Sequence, residues 1–237
     1  MDDLKTLDIL LDALKALDEL LVSENQHPIE IRAIGGFALA FRNIREDGLT
    51  RDIDTITPDY PPGLARLIVK VAELIGLEHD WLNNDAVGSI DGLTSRDAVM
   101  RHDAMLDARY EEVPLGFKKI TLRVADLGTL MRSKLYAVDA ISLGARGAKD
   151  AQDLEAILNK MGFSNIDAAV RSMPWLDCPE FKNAIETMRR FERGDSLVNH
   201  SDTDDLDDFL RDILSSYENQ SPEPGYMDGG FWDDYCH

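Results

Sequence analysis

Cysteine is almost absent from this chain: only Cys178 and Cys236 occur in 237 residues. They are too few and too far apart for a disulfide framework or a cysteine zinc cluster. That pattern fits a reducing compartment, and a cytoplasmic protein is expected. The five histidines (His27, His79, His102, His200 and His237) show no ligand spacing, so no histidine metal centre is expected. No apolar run is long enough to span a bilayer. The opening residues, MDDLKTLDIL, are acidic where a signal peptide would be basic. No membrane partner is expected, and no internal repeat is visible. Basic residues are also scarce: 25 Lys and Arg stand against 45 Asp and Glu, a net charge of -20. Such a chain does not favour non-specific binding to nucleic acid.

The imbalance is uneven. From Asp202 to His237 there are eleven acids and one base, Arg211, which accounts for half of the excess. From Arg101 to Asp150, nine bases stand against seven acids, a locally basic stretch that could hold phosphates. The acid-rich tail lacks the glycine and closing glutamate of a calcium-binding loop. Residues 203–216 place Leu206, Phe209, Leu210, Ile213 and Leu214 on one helical face, and the turn-rich end beyond is expected to be disordered.

A hydrophobic content of 44% suffices for an ordinary core. Residues 3–22 space Leu4, Leu7, Leu11, Leu14, Leu17 and Leu21 by threes and fours, which predicts an amphipathic helix. Ile29–Ile34 reads as a strand ending at glycines, residues 37–44 as a short helix, and 50–57 as a second strand. A helix follows over 61–77, with proline near its start. Residues 78–97 read as loop, and Trp81 within them as a packing residue, with base stacking as the alternative. Two strands joined near Gly116 precede a helical stretch from Asp126 to about residue 195. The expected class is α/β (α+β): a mixed sheet flanked by helices over 1–125, a helical region over 126–195 and an acidic tail over 196–237.

The chemistry is concentrated in IGGFALAFRNIREDGLTRDIDTIT, Ile34–Thr57. On a strand, residues i and i+2 share a face, so Asp52 and Asp54 should sit side by side. Two carboxylates so placed repel unless something positive lies between them. Mg²⁺ (or Mn²⁺) takes oxygen ligands from one or two carboxylates plus phosphates. Gly35 and Gly36, lacking side chains, let a phosphate approach backbone N–H groups at a helix start. A phosphate cradle and a metal-binding acid pair are the two halves of a phosphoryl-transfer site.

This order of motifs resembles the nucleotidyltransferase superfamily with the DNA polymerase β-type fold, and within it the AbiEii-like toxin branch. Gly35, Gly36 and Ala38 match its GG-x-A pattern, and Thr50, Asp52 and Asp54 match its [ST]-x-D-[IL]-D. The position two before Thr50 is Gly48 where the branch has arginine; Arg45 lies further back, and the gap from Gly36 to Asp52 is longer than usual. Downstream, LGTLMRSKLYAVDAISLGARGAKDAQDLEAIL is similar to the family's later helical motif, with Lys134, Arg146, Lys149, Asp150 and Asp153 in the matching places. The resemblance spans roughly residues 30–160.

The resemblance implies a nucleotidyltransferase-like fold and a Mg²⁺-dependent enzyme. It would move a nucleoside monophosphate from an NTP to a hydroxyl on RNA such as tRNA, on protein or on a small molecule. The aspartates would bind metal and help activate the hydroxyl. The glycines, Thr50, Lys134 and Asp150 would hold the nucleotide, and Asp150 or Asp153 would complete the acidic site. Asp107, Glu111 and Glu112 are further candidates for a third carboxylate. Such proteins are commonly toxins of toxin–antitoxin or abortive-infection systems, so a cognate antitoxin or regulatory protein is an expected partner. The alternative is a catalytically silent scaffold that binds or regulates a partner.

Overall fold

Leucine spacing builds the first helix, α1 (Leu7–Ser23). Its buried stripe is Leu10, Leu14, Leu17 and Leu21. Leu7 and Leu11 lie at its margin. The helix starts later than the leucine pattern suggests, because Lys5–Thr6 is a two-residue strand, β1. It is claimed by a pairing with β3 (Leu49–Thr50). The computed structural model describes residues 5–45, 48–57, 61, 63–84, 100, 103, 104, 106–140 and 145–195. All lie within one compact unit, Met1–Val198. The expected tail helix over 203–216 falls outside the described residues, as do Leu4 and most of the loop expected after Asn84.

The sheet is small and mixed. β2 (Ile29–Ala33) runs parallel to β7 (Ile120–Ala125), in register from Ile29 with Ile120 to Ala33 with Val124. β6 (Tyr110–Glu112) lies antiparallel on the other side of β7. The chain expected as one strand over 50–57 is divided. β3 pairs with β1, while β4 (Ile53–Asp54) runs parallel to β5 (Leu82–Asn83), which the sequence reading places in a loop. Beyond β4 the chain joins β2 through an antiparallel bridge between Ala33 and Thr55. There Ile34 N–H donates to the Asp54 carbonyl and Ile56 N–H to the Arg32 carbonyl, both at 2.9 Å. Along β2, Ile29, Ile31 and Ala33 are buried while Glu30 and Arg32 face a polar surface. This is the period-2 signature of a sheet with one covered face.

Helices cover the apolar face. α2 (Gly35–Phe41) follows β2 directly. α3 (Leu64–Ile75) is bounded by Gly63 and Gly76, both left-handed. α4 (Leu127–Ala140), α5 (Ala145–Lys160), α6 (Ile166–Ser172) and α7 (Lys182–Glu192) form the helical region, with two 3₁₀ turns before α7. Asn165 caps α6, its side chain accepting from Ala168 N–H at 2.8 Å. α4 packs on α5 and α7. Leu14, Ile31, Phe37, Leu122, Met131, Leu154 and Met188 belong to one hydrophobic cluster, so the α/β part and the helical region share a core. The architecture is mixed α+β. Among the described residues no helix is long and apolar enough to cross a membrane.

One acid interrupts the leucine face of α1. Asp18 lies four residues after Leu14 and three before Leu21, and is buried. Its carboxylate accepts from the backbone N–H groups of Lys118 (3.0 Å), Lys119 (2.6 Å) and Ile120 (3.0 Å). A buried carboxylate is tolerated when N–H donors replace its water, and here they anchor the entry to β7. Asp18→Ala leaves those donors without a partner. We expect it to cost about 2–3 kcal/mol of unfolding free energy, read from urea denaturation.

Candidate functional site

Gly35 sits immediately after β2 with φ of +60°. A Cβ there would collide with Asp54 Oδ2. A Cβ on Gly36 would come within 2.5 Å of Thr50 Oγ1 and 2.8 Å of Arg45 Nη1. The two glycines are therefore a requirement of space: side chains from β3, β4 and the loop after α2 occupy the volume that other residues would need.

Ile53 is fully buried. It is held by its N–H donating to the Trp81 carbonyl at 2.7 Å. Asp52 and Asp54 flank it and, by the strand alternation, point the other way. Asp52 Oδ2 accepts from Arg51 Nε (3.2 Å) and Nη2 (2.9 Å) and from Asn83 Nδ2 (3.4 Å). Burial raises the Asp54 carboxyl above the ordinary range, and the Asp52 charge adds to this; Asn83, Lys134 and Arg51 oppose without cancelling it. The Thr50 hydroxyl donates to the Asp52 carbonyl at 3.2 Å and so shapes the turn into β4.

The second motif lands beside the first. Lys134, on α4, has Nζ 2.6 Å from Asp150 Oδ1 and 2.7 Å from Asp153 Oδ2, both on α5. Arg45 grips Asp153 with two parallel bonds, Nε to Oδ1 at 2.9 Å and Nη2 to Oδ2 at 2.7 Å. Its Nη1 reaches the Leu49 carbonyl at 3.2 Å. Burial pushes the Asp153 carboxyl upward, but Arg45 and Lys134 outweigh that and hold it below the ordinary value. Gly35, Gly36, Thr50, Asp52, Asp54, Lys134, Asp150 and Asp153 are thus gathered in one region. Arg45 spans from the glycines to Asp153, and Lys134 is close enough to act on Asp54.

The other candidates lie elsewhere. Asp107, Glu111 and Glu112 have side chains more than 60% exposed and pair with Arg109 and Arg132, with Arg42 and with Arg123 respectively. Trp81 is buried and its Nε1–H donates to the Ile68 carbonyl at 3.0 Å, so it is a core residue. The Arg146 side chain lies outside the described residues. Two surface cavities, of about 310 and 280 Å³, are lined by none of the gathered residues. Sequence reasoning gave no role to Arg51 or Asn83. The signal for Arg51 was its place beside an acid pair; Asn83, in a turn-rich stretch, offered none.

Among the described residues no group of three or more His, Cys, Asp or Glu side chains could hold a metal. The donor chemistry that fits a divalent cation is the oxygen pair Asp52 and Asp54, completed by phosphate oxygens. Lacking a side chain, Gly35 lets the Asp54 carboxylate lie directly against the backbone at the start of α2, where a Cβ would collide with it. Comparison with protein-family models, with curated proteins and with solved structures gives no match.

Asp54, half-buried, and Asp153, buried, have opposite linkage to pH. Asp54 is raised in the folded state, so its ionisation costs stability as pH rises from the unfolded value through the raised one. Asp153 is lowered, so it stabilises above the unfolded value, and that contribution disappears as pH falls through the folded one. Asp54→Asn should therefore raise the melting temperature at pH 7. Asp153→Asn, which deprives Arg45 and Lys134 of their shared anion, should lose about 3 kcal/mol. Thermal melts of both variants from pH 4 to 8 check the signs.

Proposed function

We propose that this chain is a Mg²⁺-dependent nucleotidyltransferase of the superfamily its motifs resemble, moving a nucleoside monophosphate from an NTP to a hydroxyl acceptor. The observation that carries the reading is the direct packing of the glycine pair against Asp54, Thr50 and Arg45. Residues that a phosphate cradle and a metal-binding pair would need, Gly35 and Asp54, are in contact, although 19 positions separate them in sequence. Lys134 and Asp153 of the later motif join the same cluster.

A divalent cation held by Asp52 and Asp54 would neutralise triphosphate charge there. Gly35 and Gly36 would admit the phosphates close to the backbone. Lys134 and Arg45 would supply positive charge, Arg45 with a planar fork suited to phosphate oxygens. In the transfer, the acceptor hydroxyl oxygen forms a bond to the α-phosphorus. The bond from the α-phosphorus to the bridging oxygen breaks, and pyrophosphate leaves. The hydroxyl proton passes to a carboxylate. Asp54, as a ligand of that cation, would help to activate the hydroxyl. The acceptor class is RNA such as tRNA, protein or a small molecule. The branch resemblance extends the proposal to a toxin with a cognate antitoxin or regulatory partner.

A second reading is favoured by one observation. Lys134 and Arg45 direct their donors at Asp150 and Asp153 rather than at open space. A silent nucleotidyltransferase-like scaffold acting through a partner would look the same. The experiment is calorimetry with Mg²⁺–NTP followed by incubation of α-labelled NTPs with total cell RNA and protein. We expect binding and a labelled acceptor from the wild type, and at least about a hundredfold less label from Asp52→Asn or Asp54→Asn. Absence of Mg²⁺–NTP binding by the wild type would leave the scaffold reading standing.

A further inference from the structure

Arg51 sits in the break between β3 and β4, inside neither ladder. Its guanidinium rests on a single oxygen of Asp52, with Nη2 at 2.9 Å and Nε at 3.2 Å from Oδ2. The two partners differ sharply in exposure: the Arg51 side chain is 56% exposed and that of Asp52 only 12%. Arg51 Nη2 also lies 4.0 Å from Asp80 Oδ2, a half-exposed carboxylate next to Trp81. One solvent-facing arginine therefore reaches two acids, one in the candidate site and one at its rim.

Side-by-side carboxylates need a positive neighbour. Asn83 contributes only a dipole to Asp52. Lys134 acts on Asp54 while bonded to Asp150 and Asp153. Arg51 is the cation bonded to Asp52, and its charge is felt at Asp54 as well. A divalent ion held by this pair would seek the same oxygen that Arg51 covers. A guanidinium and a divalent ion cannot both sit on it without strong repulsion.

Resting on the metal-binding reading of Asp52 and Asp54, we propose that Arg51 is the resident counter-ion of the aspartate pair, and that it gives way to a divalent cation by moving from Asp52 to Asp80. Arg51 is then a positioning residue. It holds the pair together when no cation is bound and weakens cation binding by competition. Its exposure makes the movement easy, since exposed ion pairs contribute little to stability. Asp80 gives the displaced charge a partner and so favours exchange.

The test is titration of the full chain with Mn²⁺ in the absence of nucleotide, following the free-ion signal by electron paramagnetic resonance. The proteins are the wild type, Arg51→Gln, Asp80→Asn and the double variant, each checked for an unchanged circular-dichroism spectrum. Removing a competing exposed ion pair should tighten Mn²⁺ binding about threefold to fivefold in Arg51→Gln. Asp80→Asn should weaken it in the wild-type background and have no effect in the Arg51→Gln background. Equal affinity in wild type and Arg51→Gln would overturn the proposal and leave the metal-site reading intact. So would an Asp80→Asn effect of the same size in both backgrounds, which would mean that Asp80 acts by its own charge. If none of the four proteins binds Mn²⁺ without nucleotide, this proposal is overturned, while the metal-site reading, in which phosphate oxygens complete the ligand set, stands or falls by the Mg²⁺–NTP calorimetry.

Discussion

Asp153 is the anion on which the rest of the site depends. It is almost fully buried and shared between two cations from distant parts of the chain: Arg45 from the loop after α2 and Lys134 from α4. A carboxylate removed from water costs several kcal/mol unless its partners are well placed. Here a two-bond guanidinium grip and an ammonium at 2.7 Å supply them. Such a cluster adds little net stability, but it is strict about geometry, because loss of one member strands the others. Through Arg45 that strictness is passed on to the Leu49 carbonyl and to the space above Gly36. The ion cluster thereby links the glycine turn to α5.

The same arginine ties the loop after α2 to the cluster. Gly48 adopts φ of +59° and donates its N–H to the Arg45 carbonyl at 3.2 Å, closing a turn that brings Arg45 back beside Leu49. A long side chain spans what remains. The tight turn is one that glycine makes without strain, and the guanidinium lies against Gly36.

Much of this was legible in the chain itself, for a definable reason. α1, α3 and the later helices, and the strands β2 and β7, each have a buried face of their own, and period 3.6 or 2 reports it. β1 and β5 are two residues long and exist because a partner elsewhere pairs with them, so no local period marks them, whereas β3 and β4 fall at the edge of and within the strand expected over 50–57. The break at Arg51–Asp52, where one strand was expected, arises because β3 turns to β1 while β4 turns to β5 and β2. Asp18 drew no reading from the sequence, because its three N–H partners lie about 100 positions away. Within the site, the glycines and aspartates are local motifs and could be read. The direction in which Lys134 and Arg45 aim their donors could not, because it depends on two helices packing against each other.

The charge of the cluster limits what it can accept. Asp52, Asp54, Asp150 and Asp153 stand against Arg45, Arg51 and Lys134. Counted as ionised they sum to -1, close to the neutrality that partly buried groups require. A triphosphate brought alone to such a region meets no excess positive charge, so on the proposed reading its counter-ion must come with it. The cations are present but already bonded, and an incoming phosphate must compete with Asp150 and Asp153 for them. Arg45 is suited to that exchange, since phosphate and carboxylate present the same pair of oxygens to its fork. Lys134, a point charge with three rotatable donors, can bridge both anions during it. On the proposed reading, the pairing that holds the cluster together therefore also sets how strong an anion must be to enter.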